Sequence, residues 1–443
     1  MNNMNNTKEP THRESVPWFD GKKINEAVFC EEFIKDFPMV CLNNTFFTVD
    51  GMVGDESGIK QEIYNRIKPY VVTGLSKRVT SIVEVLKLEC AVKSMPIDAD
   101  RIHLANGTLH LTSGFTEEKV FCRNRLPVAY NPDAPMPETW LRFLSELLND
   151  EDIPTLQEFI GYCLIPSNKG QKMLMIQGKG GEGKSRIGLV MRALLGDNMN
   201  TGSIAKIETS PFARADLENE LVLLDDDLKL EALPQTNHIK AIITAELPMD
   251  LEKKGKQSYQ GDLYVRFLGL GNGTLQSLYD CSLGFFRRQI ILTAKEKAAD
   301  RIDDPYIAEK MCKEVEGIFF WALEGLYRLM QNDFQFTISD AAKKNLEEAV
   351  SDGNNIIEFL ASDGYVRFAS DVYATSKDLY GVYKLWCDDN ALTPLSQRSF
   401  WAYLKQNAEK YNIVPIGKIC NDKGKKVRGY KGVETLQPLF LKN

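Results

Sequence analysis

The 443-residue sequence has no run of about 18 apolar residues, so no transmembrane helix is expected. Its polar start, MNNMNNTKEPTHRES, has no apolar core. That argues against a secretory signal and predicts a disordered lead-in over residues 1–15. A cytoplasmic protein without a membrane partner is the expectation. The nine cysteines include no CxxC pair, so they read as reduced, mostly buried thiols and not as a disulfide framework. The four histidines form no HxxxH pair, and no zinc site is expected. No internal repeat or low-complexity tract is evident. The net charge of −7 argues against a protein that coats nucleic acid with its whole surface. A local basic channel or wing remains compatible with it, because phosphate binding depends on where charge sits.

What is present is an ordinary globular composition, 43% hydrophobic and 26% charged, long enough for two to four domains. From about residue 16 to 135 the pattern is mixed: a strand and turn at FFTVDG (46–51), an amphipathic helix at 76–92, and two strands around Asn106-Gly107. A proline-rich loop, YNPDAPMP (130–137), marks a boundary. Residues 138–165 have helical spacing broken at Pro154, giving a helical collar over 136–168. Apolar strands then alternate with helices across 169–335, which predicts an α/β layer with a parallel sheet. The expected strands are MLMIQ, LVLLDDD, LYVRFLGLGNG and RRQIILTA. From 340 to 443, three amphipathic helices and a hairpin suggest a winged helix-turn-helix.

Residues 178–185, GKGGEGKS, carry the clearest chemistry. Gly178, Gly180, Gly181 and Gly183 let the backbone turn tightly with N–H groups facing a phosphate, and Lys179 and Glu182 complete the loop. Lys184 can reach the β and γ phosphates of ATP, and the Ser185 hydroxyl can ligate Mg2+. The pattern arises by chance in about 2% of chains this long, and the flanking strand and helix are its required context. LVLLDDD delivers acids to the end of a buried strand, where one carboxylate can hold magnesium and the next can polarise a water. The competing explanation is a solvated acidic turn. Asn272, ending a third apolar strand, can orient that water or can simply form an Asn-Gly turn. Arg287 and Arg288 are either surface cations or a source of charge for a transferring phosphoryl group, supplied in trans. Lys253, Lys254 and Lys256 sit in a polar segment that is either a solvated basic loop or one that grips DNA phosphates.

This order of elements within roughly 110 residues resembles the superfamily 3 helicases, which are AAA+ ATPases. It looks most like the helicase part of phage, plasmid and poxvirus primase-helicases, and within them like replication proteins of mobile elements such as phage satellites or pathogenicity islands. The flanks IHLANGTLHL…PETWLRFLSELLNDED and DLYGVYKLWCDDNALTPLSQRSF…RGYKGV carry the resemblance over most of the chain from about residue 95. It implies that Lys184 and Ser185 are the P-loop pair and that Asp225 and Asp226 are the acidic pair, with Asp225 on Mg2+ and Asp227 leaving that choice ambiguous. It further implies that Asn272 is the sensor, that Arg288 is the arginine finger with Arg287 the alternative, and that Lys253 and Lys254 are the pore-loop cations. Where the family often has Pro-Phe, this chain has Leu292-Thr293, a departure that touches packing. The implied machine is a homohexameric ring translocating on single-stranded DNA. A separate primase and a single-strand-binding protein are its expected partners, since no primase site is apparent.

Two other functions compete. The chain could be an origin-binding initiator that reads origin DNA with Arg398 on SQRSFWAYLKQ and with a wing bearing Lys423, Lys425, Lys426 and Arg428. The alternative for that helix is a core-packing one, with Trp401 buried. Or it could be an AAA+ ATPase that remodels protein, which the basic segments disfavour.

Overall fold

The computed structural model of the chain describes residues 15–228, 233, 235–255, 257–272, 283–298, 300–352, 355–420 and 425–436. The first 14 residues of the expected lead-in, Lys256 and Lys423 lie outside the described residues. Five short segments form the central sheet: β1 (Met173–Gln177), β2 (Met199–Thr201), β3 (Val222–Leu228), β4 (Arg266–Gly271) and β5 (Gln289–Thr293). Their order is β5-β1-β4-β3-β2, and every neighbouring pair is parallel. Parallel strands need crossovers, which cover both faces, so the inner strands of such a sheet are largely apolar. Met173, Leu174, Met175 and Ile176 of β1 are accordingly all buried.

One face carries helix α1 (Ser185–Leu195) together with helices Glu138–Leu147, Ile153–Tyr162 and Val315–Gln331. The residues expected as a collar therefore share one continuous core with the sheet. The other face carries helices Ile204–Thr209 and Asn237–Ile243, with Leu346, Ala349 and Val350 of helix Asp340–Asp352 against it. Pro154 breaks the helical spacing as expected and stands in the first turn of the second collar helix, where a missing N–H costs nothing.

The N-terminal body packs helices Glu26–Asp36, Ser57–Ile67 and Leu75–Glu89 with a three-stranded antiparallel sheet, Met39–Leu42, Thr45–Thr48 and Gly51–Met52. The strands around Asn106-Gly107 form as expected (Arg101–Leu104 and Gly107–His110), and Gly114–Thr116 adds a third. The C-terminal body has its own core and joins helices Asn355–Ala361, Ser376–Asp389 and Gln397–Gln406 to a three-stranded sheet. Two of its strands, Val414–Cys420 and Lys426–Thr435, are the expected hairpin. The third, Val366–Thr375, was not expected. It is an edge strand whose register shifts between Phe368 and Tyr373, and the shift destroys the alternation that would mark it. Among the described residues no helix is long and apolar enough to cross a membrane.

The second collar helix and helix Val315–Gln331 approach closely through glycine. A Cβ on Gly161 would lie 2.3 Å from the Ala322 carbonyl oxygen, and one on Gly325 would lie 2.4 Å from that of Gln157. Gly325→Ala should therefore lower the unfolding free energy by about 1–3 kcal/mol, the usual cost of overpacking, against the gain of roughly 0.5–1 kcal/mol that alanine brings to an open helix. A urea midpoint that stays level or rises would show that this helix pair separates without cost.

Candidate functional site

Because all five strands are parallel, their C-terminal ends lie along one edge, and the candidate site is built there. β1 ends at Gln177, and the Gly178 N–H donates to the Gly271 carbonyl at 3.1 Å, tying the loop to the end of β4. Gly180, Gly181 and Gly183 hold φ values of 109°, 85° and 108°, in the region L side chains avoid, which is why this turn is written in glycine. The loop then enters α1 at Ser185. Free N–H groups and the positive end of the helix dipole suit this position to an anion. Lys184 is buried and its Nζ lies 2.8 Å from Glu182 Oε2, while Glu182 Oε1 accepts the Gly180 N–H at 2.8 Å. Burial alone would raise the Glu182 pKa, but the lysine and the N–H bonds outweigh it and hold the carboxyl below its usual range. Lys179 points away into solvent and pairs with Glu296.

The loop opens on a cavity of about 980 Å³. Asp226, Asp227 and Asn272 line it from β3 and the end of β4, and Gly180 to Arg186 line it from the loop. Asn272 Oδ1 would stand 3.9 Å from a Cβ on Gly180, so the amide faces the loop directly. Ser185, Asp226 and Asp227 bring to one cavity the hard oxygen donors that magnesium prefers, and the donor set fits that ion.

Asp225 corrects the sequence expectation. Side chains alternate along β3: Leu224 packs toward α1, while Leu223 and Asp225 face the layer containing helix Ile204–Thr209. Asp225 is 7% exposed, does not line the cavity, and its Oδ2 accepts the Ile204 N–H at 2.8 Å. Burial pushes its pKa up, against the Ile204 and Asp227 N–H groups. A bulge follows, with Asp225 paired to Gly269 but Leu228 to Gly271. That extra residue breaks the alternation and gives the cavity two successive carboxylates, Asp226 and Asp227, in place of the expected Asp225 and Asp226.

Arg287 and Arg288 lie at the other end of the sheet. They precede Gln289, which pairs with Met173 at the start of β1, about 16 Å of strand from the loop. Arg287 is exposed. Arg288 is half-buried, and its Nη1 donates to the Gly284 carbonyl. Besides Arg186 next to the loop, two arginines distant from it in sequence and not singled out there reach the cavity, Arg142 and Arg301. Arg301 Nη1 donates to the Glu182 carbonyl at 3.0 Å and its Nε lies 3.4 Å from Asp303. Arg142 stands some 40 residues before the loop, in the PETWLRFLSELLNDED flank, and Arg301 about 115 residues after it; neither belongs to a phosphate-binding motif that would have marked it in the sequence.

The basic segment 251–262 forms a hairpin of strands Met249–Leu251 and Tyr259–Gly261. Lys253 is not at its tip. Its Nζ lies 2.7 Å from Glu218, which also accepts from Tyr259 (2.6 Å) and from Asn43 of the N-terminal body (3.3 Å). Burial depresses the Lys253 pKa, but the bonds to Glu218 and Tyr259 outweigh it and the pKa is raised. Lys254, in the turn, is exposed. In the C-terminal body, Arg398, Lys425, Lys426 and Arg428 are exposed, while Trp401 is half-buried and stacks on Tyr430 at 5.5 Å, the core-packing arrangement.

Residues 176–288 match the family described as "Family of unknown function (DUF5906)", and residues 60–149 match "D5 N terminal like". Regions of these two kinds are typical of phage and viral primase-helicase proteins. No curated protein matches the chain. Among solved structures, the A form apo structure of the NrS-1 C terminal region is 12% identical, with a TM-score of 0.53 over 91% of this chain and 98% of that one. A second structure of that region (305-718), also 12% identical with the same coverage, gives 0.49. The first likeness shows a shared fold.

The bonding of Asp225 predicts a stability difference. Asp225→Ala should cost about 1–2 kcal/mol, because it removes a buried acceptor from two backbone N–H groups. Asp226→Ala and Asp227→Ala should stay within about 0.5 kcal/mol of wild type. Equal losses at all three positions in urea unfolding would contradict the assignment.

Proposed function

We propose that this chain is an ATP-driven DNA helicase of the superfamily 3 AAA+ kind, working as a ring of identical subunits in the replication of a phage or related mobile element. The observation that carries the reading is the convergence of three strand ends on one cavity: the GKGGEGKS loop after β1, Asp226 and Asp227 on β3, and Asn272 after β4. Lys184 and the loop N–H groups take the phosphates, and Ser185 with one carboxylate takes magnesium. That ion neutralises phosphate charge when bound. The other carboxylate and Asn272 orient and polarise the attacking water. Asp226 and Asp227 replace Asp225 and Asp226 in these roles because only they line the cavity.

A ring is favoured by where Arg287 and Arg288 lie. They are remote from their own loop, so Arg287 or Arg288 can act on a phosphoryl group only at a neighbour's loop, beside the Arg142 and Arg301 that the neighbour's own chain brings to its cavity. The strand order, with the Asn272 strand between the loop strand and the acidic strand, agrees with an AAA+ core. In the C-terminal body the helices and the three-stranded sheet support the winged-helix reading. Residues 410–431 hold seven Lys or Arg and one Asp in a chain of net charge −7, which fits that body to DNA phosphates. Lys254 at the hairpin tip is the better candidate for a strand contact in the pore, with Lys253 bracing it through Glu218.

Single-stranded DNA should stimulate ATP turnover and forked DNA should be unwound, both falling at least about a hundredfold in Lys184→Ala. Turnover indifferent to DNA would favour protein remodelling instead. Arg288→Ala should bind ATP normally yet fail to hydrolyse it. Mixed with Lys184→Ala, it should regain part of the activity, because each variant supplies the half-site the other lacks. Full hydrolysis by Arg288→Ala alone would remove the finger assignment.

A further inference from the structure

Two of the loop's donors are already spent on the protein itself. Both oxygens of one carboxylate are engaged, Glu182 Oε1 with the Gly180 N–H and Oε2 with Lys184 Nζ, each at 2.8 Å. Glu182 is 2% exposed and Lys184 is 7% exposed. The carboxylate lies inside the curve of the loop, since a Cβ on Gly178 would meet Glu182 Oε1 at 2.8 Å and Lys184 Nζ at 2.9 Å. Arg301 holds the Glu182 carbonyl at 3.0 Å, which fixes the backbone from which the side chain turns inward. A phosphate in this loop asks for the same partners, the lysine ammonium and backbone N–H groups at a helix start. Two anions cannot share them in a space screened from water without strong repulsion.

We infer that the Glu182 carboxylate is a built-in competitor for the phosphate position, and that it sets an affinity threshold which ligands with at least two linked phosphates clear and a single phosphate does not. The inference rests on reading residues 178–185 as a phosphate site. A single phosphate trades one anion for another at the same donors and gains little. A diphosphate brings a second anionic group to the loop N–H groups and the helix terminus that Glu182 does not reach, so the exchange runs in its favour. Every ligand pays the same factor, because its apparent affinity is scaled by the fraction of loops from which Glu182 has swung out.

Calorimetric titration of the full chain with pyrophosphate and with inorganic phosphate tests this. Wild type should bind pyrophosphate and should show no measurable heat with inorganic phosphate at the same concentration. Glu182→Gln and Glu182→Ala should bind pyrophosphate about tenfold tighter or more, which corresponds to at least about 1.4 kcal/mol. Binding of inorganic phosphate should become measurable in both, and Lys184→Ala should bind neither. If Lys184→Ala loses binding while the Glu182 variants bind more weakly than wild type or no better, Glu182 is a brace of the loop. The competitor is then overturned and the phosphate site stands. If Lys184→Ala binds like wild type, the phosphate site fails and the competitor with it. The comparison within wild type needs no variant, and comparable affinities for pyrophosphate and inorganic phosphate would overturn the threshold even if the substitutions disturb folding.

Discussion

A sheet whose strands all run the same way sends every strand's C-terminal end to one edge and every N-terminal end to the other. That constraint governs this molecule. The residues that leave the hydrophobic layer at the first edge are Gly178, Asp226, Asp227 and Asn272, and they meet without any long-range device beyond strand pairing. The residues that enter at the opposite edge, Arg287 and Arg288, are kept away by the same pairing. Separation of the loop from Arg287 and Arg288 within one chain is thus a consequence of parallel topology.

Much of this was legible in the residues, and what was not fails for identifiable reasons. Strands buried on both faces are continuous apolar runs, so MLMIQ and QIILT could be located within a residue or two. The glycine loop announces itself because few residue types tolerate φ near +100°. The identity of the cavity-facing aspartates was beyond reach. Three successive aspartates look alike, and only the register shift between β3 and β4 decides which two turn inward. Arg142 and Arg301 come to the loop through tertiary packing across more than a hundred residues in the second case. Lys253 and Lys254 are neighbours of identical type whose difference lies in Glu218, a partner 35 residues upstream. The strand Val366–Thr375 hid because an edge strand with a shifted register loses its period.

The polar contacts of the second apolar layer show how the bodies are joined. Glu218 is nearly buried and collects Asn43 from the N-terminal body, Tyr259 from the hairpin and Lys253 beside its tip. Arg123 lies within reach of Asp262 and donates to Asn219, fastening the segment after the Asn106-Gly107 hairpin to the same region. The residues before the loop are thereby linked through Glu218 to the hairpin that bears Lys254.

The bulge in β3 carries one last implication, which concerns length more than chemistry. A regular strand can offer one side of a sheet only every second residue, so two adjacent carboxylates facing one cavity require a miscount between partners. Here the miscount is a single residue between Asp225 and Leu228, and Leu228 returns to the apolar layer beyond it. Loss of any one of the three aspartates would restore the count. The strand would then run straight, Leu228 would still reach the core, and the cavity would be left with one carboxylate where it now has two. The third aspartate is therefore a spacer in the chain's arithmetic: its presence lets one residue cap a helix while two others stand side by side.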